Sequence, residues 1–156
     1  MKPTLLAVDL GLRSGMALYG SDARLIWYRS RNFGTRQRLR RAVFSLLNEI
    51  KDLQHIVIEG GGDLLSIWQK EADRRSINLA QIDAATWRIP LLYPREQKTG
   101  AEAKISADSL ARKMIDWSGT SRPTSLRHDA AEAIVIGLWF MLEIGWLQEV
   151  PPFLQR

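Results

Sequence analysis

Two short apolar runs, each closed by a carboxylate, limit most strongly what this chain can fold into. Leu5-Leu6-Ala7-Val8 leads into Asp9, and Ile56-Val57-Ile58 leads into Glu59 just before Gly60-Gly61-Gly62. Unbroken apolar runs of this length, without polar alternation, belong to strands covered on both faces. Between them lie two further apolar runs, Met16 to Tyr19 and Leu25 to Tyr28, separated by the turn composition Gly20-Ser21-Asp22. Thr35 is placed to cap a helix in which Leu39, Val43, Leu46, Leu47 and Ile50 recur at helical spacing. The pattern predicts an α/β domain whose mixed sheet is opened by antiparallel hairpins.

The second half reads less sharply. A helical pattern covers about Leu64 to Trp87, with a break near Arg74-Arg75-Ser76, and Ile89 to Tyr93 reads as a strand whose Pro90 favours an edge position. A loop through Lys98, Thr99 and Gly100 leads to a helix near Ile105 to Trp117. A Ser/Thr/Pro loop follows, and a long apolar helix is predicted from about His128 to Trp146, before Pro151-Pro152. No repeat, linker or low-complexity stretch divides the chain. One domain is expected over residues 1–156, with its core at about 4–147 and a short tail at 148–156.

Composition narrows the chemistry. The absence of cysteine excludes a disulfide framework and any cysteine–zinc site, and two histidines, His55 and His128, are too few for a histidine-rich cluster. No apolar run approaches the ~20 residues needed to span a bilayer, so a cytoplasmic protein without a membrane partner is expected. Lys and Arg outnumber Asp and Glu by 22 to 17, and only six of those cations are Lys. An Arg-rich excess of positive charge suits forked contacts with phosphate and favours a nucleic-acid partner.

The candidate chemistry lies in four acids. Asp9 stands at a strand end beside Gly11 and Gly15, where small neighbours leave room for a metal ion or a phosphate; capping the turn is the plain structural alternative. Glu59 repeats the arrangement, with an exposed loop position as its alternative. Asp129 and Glu132, in His128-Asp-Ala-Ala-Glu-Ala133, fall three apart and share a helix face near its first turn. Their alternative is favourable interaction with the helix dipole. Burying a carboxylate beside a core strand costs several kcal/mol unless it is compensated, and two such strand ends invite a cation between them. Hard oxygen donors without Cys select Mg²⁺ or Mn²⁺ over zinc. Two such ions ~3.5–4 Å apart serve phosphodiester hydrolysis, and no small-molecule cofactor is expected.

Taken in order, these residues resemble the RuvC-like Holliday junction resolvases of the RNase H-like nuclease superfamily, particularly the short bacterial and phage type. Asp9-Leu-Gly-x-x-x-Gly resembles their first motif, Val57-Ile-Glu59 their second, and His128-Asp-Ala-Ala-Glu-Ala133 their last. Lys98-Thr-Gly-Ala-Glu-Ala-Lys104 resembles the Gly-x-Ala-x-Lys segment before their penultimate helix. The resemblance implies an RNase H-like fold, a five-stranded mixed sheet with helices on both faces. It further implies a homodimer that nicks opposing strands of four-way junction DNA symmetrically, in a bacterial cell or phage-infected host. Asp9, Glu59, Asp129 and Glu132 would hold two divalent ions, and Lys104 would lie near the scissile phosphate. Three departures are visible: the first motif has one residue fewer between its glycines, Glu132 stands where Asp is usual, and Gly62 stands where many members carry a wedge aromatic. Leu64, Leu65 or Trp68 is then the candidate wedge.

Beyond the acids, Arg13, Lys98 and Lys104 are candidate phosphate contacts, and Trp68 is the tryptophan expected to meet DNA. His128 is expected to be a neighbour of Asp129 more than a ligand. Most of the run Arg36, Arg38, Arg40 and Arg41 reads as a solvated helix face. Two rival readings are a nuclease of the same fold acting on structured RNA, and a non-catalytic nucleic-acid-binding scaffold.

Overall fold

A computed structural model of the protein describes residues 2–91 and 100–152. Strands β1 (Thr4–Asp9), β2 (Arg13–Gly20) and β3 (Leu25–Asn32) form an antiparallel meander, and helix α1 (Arg36–Glu49) crosses over to β4 (Leu53–Glu59). Helix α2 (Asp63–Arg74), strand β5 (Asn78–Ile82) and helices α3 (Ala84–Leu91), α4 (Gly100–Ser118) and α5 (His128–Glu143) follow. The sheet order is β3-β2-β1-β4-β5, with β4 parallel to β1 and β5 parallel to β4. This is the α/β architecture with a mixed five-stranded sheet that the sequence predicts.

The central position of β1 follows from its composition. Leu5, Leu6, Ala7 and Val8 are all fully buried, and successive strand side chains alternate between faces. Leu6 and Val8 pack with Met16, Ile56, Ile58, Leu39, Val43 and Trp68 under α1 and α2. Leu5 and Ala7 pack with Tyr19, Val57, Met114, Ile134 and Leu138 under α4 and α5. Each large aliphatic side chain so buried contributes about 1.5–3 kcal/mol. Thr35 caps α1 as its sequence suggests: its side-chain oxygen accepts the Arg38 N–H at 3.1 Å.

Four expectations for the second half are corrected. The last strand is Asn78–Ile82, and the segment expected to be a strand at Ile89–Tyr93 begins inside α3. The helical pattern expected to Trp87 ends at Arg74, at the break expected near Arg74-Arg75-Ser76, and is followed by a strand; there Ser76 takes a left-handed φ of 54° and Ile77 N–H bonds back to the Ala72 carbonyl at 3.0 Å. That is a Schellman closure with Ser in the place usually taken by Gly. The final helix ends at Glu143, not Trp146, by the same closure built on Gly145 (φ 82°), with Trp146 N–H donating to the Met141 carbonyl. Helix α4 begins at Gly100, ahead of the expected start near Ile105.

Trp68 also departs from expectation. Its ring is 0% exposed and belongs to the core under α2. Ile67, Trp68, Glu71 and Ala72 form the inward stripe of that helix, so Trp68 is a packing residue and cannot meet DNA or act as a junction wedge. Among the described residues, no helix is long and apolar enough to cross a membrane.

Candidate active site

The register of the two central parallel strands sets Asp9 directly beside Glu59. Both acids continue the parity of Leu5, Ala7 and Val57, so both are directed to the α5 face. There the backbone opens: Leu10 N–H donates to the Glu59 carbonyl at 3.0 Å, and Gly60, at φ 126°, turns the chain away from the strand end.

Helix α5 supplies the third acid because it lies unusually close to the sheet. A methyl group at Gly15 would overlap the Asp129 carbonyl and stand 2.6 Å from the Ala130 nitrogen. One at Gly137 would stand 2.9 Å from Cδ2 of Tyr19. Ala130, Ala131 and Ala133 complete a thin, buried helix face. Through this contact Glu132, only 8% exposed, reaches the strand-end acids. Carboxylate oxygens of Asp9, Glu59 and Glu132 all lie within 4.8 Å of one another.

Asp129 sits apart from that trio. Its carboxylate accepts Ser30 Oγ at 3.0 Å on β3 and the Ala130 N–H at 2.8 Å within its own helix. It still acts on the cluster through space, since it is one of the charges that raise Asp9. His128, at the exposed first position of α5, is outside the cluster. Arg13 is exposed at the start of β2. Lys98 lies outside the described residues, as does the side chain of Lys104 within α4.

The electrostatics are those of crowded, partly buried acids. Burial, then the charge of Glu132 and a hydrogen bond with it, then Glu59 and Asp129, push the Asp9 carboxyl up to about 8. Glu59 is raised as well, chiefly by burial and by Glu132, while the Trp87 indole and the Arg88 guanidinium act in the opposite direction. Glu59 Oε2 is buried without a hydrogen-bond partner. Three crowded acids, one oxygen unpaired, and hard donors only are a set that a divalent cation satisfies.

One charged residue of the site is absent from the sequence reading. Arg88, on α3, places Nη2 at 3.3 Å from Glu132 Oε1 and lies 5.2 Å from the Trp87 ring centre. The available signal was a cation placed shortly after the last strand, visible only once that strand is set at Asn78–Ile82.

A pH dependence follows. An acid whose folded pKa lies above its unfolded one favours folding while protonated, so metal-free stability falls as pH rises from about 4 to about 8. A bound divalent ion removes that penalty, which is on the order of a few kcal/mol. Thermal unfolding in EDTA and in Mn²⁺ should show a metal-induced rise in Tm that is small at pH 5 and large at pH 8. An equal rise at both pH values would mean that the ion does not displace a proton from Asp9.

No family model matches the sequence, and no curated protein matches it. Among solved structures, the catalytic core domain of BIV integrase is similar with a TM-score of 0.38 and 8% identity, over 86% of this chain and 80% of that one.

Proposed function

We propose that this chain is a divalent-metal-dependent endodeoxyribonuclease of the RNase H-like type that resolves four-way DNA junctions as a homodimer. The observation that carries the nuclease reading is the meeting of Asp9, Glu59 and Glu132 within 4.8 Å, half-buried to buried, at the ends of two parallel core strands. Junction specificity and the dimer rest on the order of the motifs along the chain, including the lysine-bearing segment Lys98 to Lys104.

In this reading Asp9, Glu59 and Glu132 hold the metal, and Asp129 borders it. Bound there, Mg²⁺ or Mn²⁺ supplies Lewis-acid chemistry, activating a water and neutralising charge on the leaving oxygen of the phosphodiester. The chain's own groups prepare the site. Core packing fixes the carboxylates so that no side chain must be reorganised when the substrate arrives. Arg88 restrains Glu132 and offers positive charge to a phosphate approaching the cluster. Arg13, Lys98 and Lys104 are the proposed outer phosphate contacts. Cleavage leaves a 5′-phosphate and a 3′-hydroxyl.

The test offers the purified protein a synthetic four-way junction, the matching duplex and an RNA hairpin, each with Mg²⁺, Mn²⁺ or EDTA. Paired symmetric nicks in the junction alone, abolished by EDTA, are expected. Cleavage restricted to RNA would overturn the resolvase reading, and junction binding without cleavage under every metal condition would favour a scaffold.

A further inference from the structure

On the sheet face opposite the carboxylates, α1 and α2 leave between them a groove of about 490 Å³, walled by Arg40, Arg41, Phe44, Ile67, Lys70 and Arg74. Its volume is that of a small-molecule site. Two of its features are unusual together. Phe44 is 47% exposed in a helix whose other large apolar residues, Leu39, Val43, Leu46 and Leu47, are buried. That exposed ring is held in place: the Arg75 guanidinium lies 5.3 Å from its centre and is itself fixed at 2.6 Å by both Glu71 and Asn48.

The charges around the ring are not self-compensating. Glu71, buried at the groove, is matched by Arg74 and Arg75. Arg40, Arg41 and Lys70 enter no ion pair among the described residues. A fixed aromatic ring with one guanidinium on it and three uncompensated cations beside it suits a flat, apolar group attached to anions. A second copy packed groove to groove would set the same uncompensated cations against one another. A nucleic-acid duplex hides its bases and would leave the ring uncovered.

We propose that the α1–α2 groove binds an unpaired nucleotide of single-stranded nucleic acid, with its base stacked on Phe44 and the adjoining phosphates held by Arg40, Arg41 and Lys70. Aromatic stacking combined with a basic track is the general means of holding single strands without reading sequence. The proposal rests on the nuclease reading only for the class of partner. The two helices that wall the groove start from the same edge of the sheet as the carboxylates: α2 follows Glu59 through Gly60–Gly62, and Arg36 at the start of α1 pairs with Asp63 at the start of α2 at 3.1 Å.

The test measures binding of a short fluorescein-labelled oligothymidylate by anisotropy, in EDTA so that neither the metal site nor cleavage contributes. Phe44→Ala should weaken binding about tenfold, while Phe44→Trp should retain it and show indole fluorescence quenched on addition of the oligonucleotide. Arg40→Gln with Arg41→Gln should lower the slope of log affinity against log salt by about 0.7 for each phosphate that is no longer neutralised. Unchanged affinity in Phe44→Ala, with no quenching in Phe44→Trp, would overturn the proposal. So would displacement of the oligonucleotide from the groove by duplex at equal concentration, tighter capture of an acidic peptide by the same residues, or a dimer in light scattering that Phe44→Ala dissociates. Failure of junction cleavage with groove binding intact would count against the nuclease reading alone.

Discussion

Asp9→Asn is expected to abolish metal-dependent cleavage, by about three orders of magnitude or more, while raising the stability of the metal-free protein. Loss of one strand-end ligand removes several kcal/mol of transition-state stabilisation, and each ~1.4 kcal/mol is a factor of ten in rate. The opposite sign for stability has its origin in the same crowding. Asp9 is raised to about 8 because it is buried against Glu132 and Glu59, and an amide in its place carries no charge to repel. At pH 8 in EDTA the variant should therefore melt above the parent protein, and its Tm should no longer respond to Mn²⁺. The check is a pair of measurements on one preparation: nicking of the junction, and thermal unfolding with and without metal. A variant that is inactive but also less stable in EDTA would show that Asp9 has a structural role in place of the electrostatic one.

The second large effect is at a residue that touches no substrate. Gly15→Ala puts a methyl group into the Asp129 carbonyl and 2.6 Å from the Ala130 nitrogen. The obstacle is backbone, so a rotamer change cannot relieve it. Overpacking against side chains typically costs ~1–3 kcal/mol, and the cost here should reach the upper end of that range or exceed it. For a domain of this size such a loss lowers Tm by roughly 6–12 °C. Relief by lifting the first turns of α5 off β2 also carries Asp129 and Glu132 away from Asp9, so cleavage should fall further than stability does. Gly61→Ala is the control, because its added methyl meets Gln81 Nε2 at an ordinary 3.4 Å. Unfolding of Gly15→Ala within a degree or two of the parent, with activity kept, would contradict the close approach of α5.

The parts of the fold that were legible are those in which local pattern and tertiary role coincide. The runs Leu5–Val8 and Ile56–Ile58 are buried on both faces, and that is why they are uninterrupted. Thr35 and the Leu39/Val43/Leu46/Leu47 stripe are local signals for a capped amphipathic helix. The last strand was hidden for two physical reasons. Ser76 closes α2 in a conformation usually marked by Gly, and Asn78-Leu-Ala-Gln-Ile82 is less apolar than the Ile89 segment that competed with it. The burial of Trp68 is encoded in the stripe it forms with Ile67, Glu71 and Ala72, a pattern that outweighs the general tendency of tryptophan to stack on bases.

In the site, the position of each acid at the end of an apolar run made Asp9 and Glu59 readable as a pair. The helix spacing joined Asp129 to Glu132 but could not rank them. Burial does: Glu132 is flanked by Ala131 and Ala133 on the packed face, whereas Asp129 is drawn toward Ser30. The acid that departs from the usual Asp is therefore the one in the tight cluster, where its longer side chain spans the distance from the helix. Arg88 was out of reach because its neighbourhood depends on the strand that the sequence concealed.

The docking of α5 across β1 and β2 has a consequence for the birth of the protein. The two strand-end acids are synthesised early, but the third waits for a helix about seventy residues beyond Glu59. Domains fold as their chains emerge at ~5–20 residues per second, so a nascent chain displays Asp9 and Glu59 for some seconds before Glu132 can join them. During that interval the chain lacks both the third acid of the cluster and the helix that covers Leu5, Ala7 and Val57. Completion of the hydrophobic core and assembly of the three-acid cluster thus become one event, and a chain that stalls or breaks before that helix has neither.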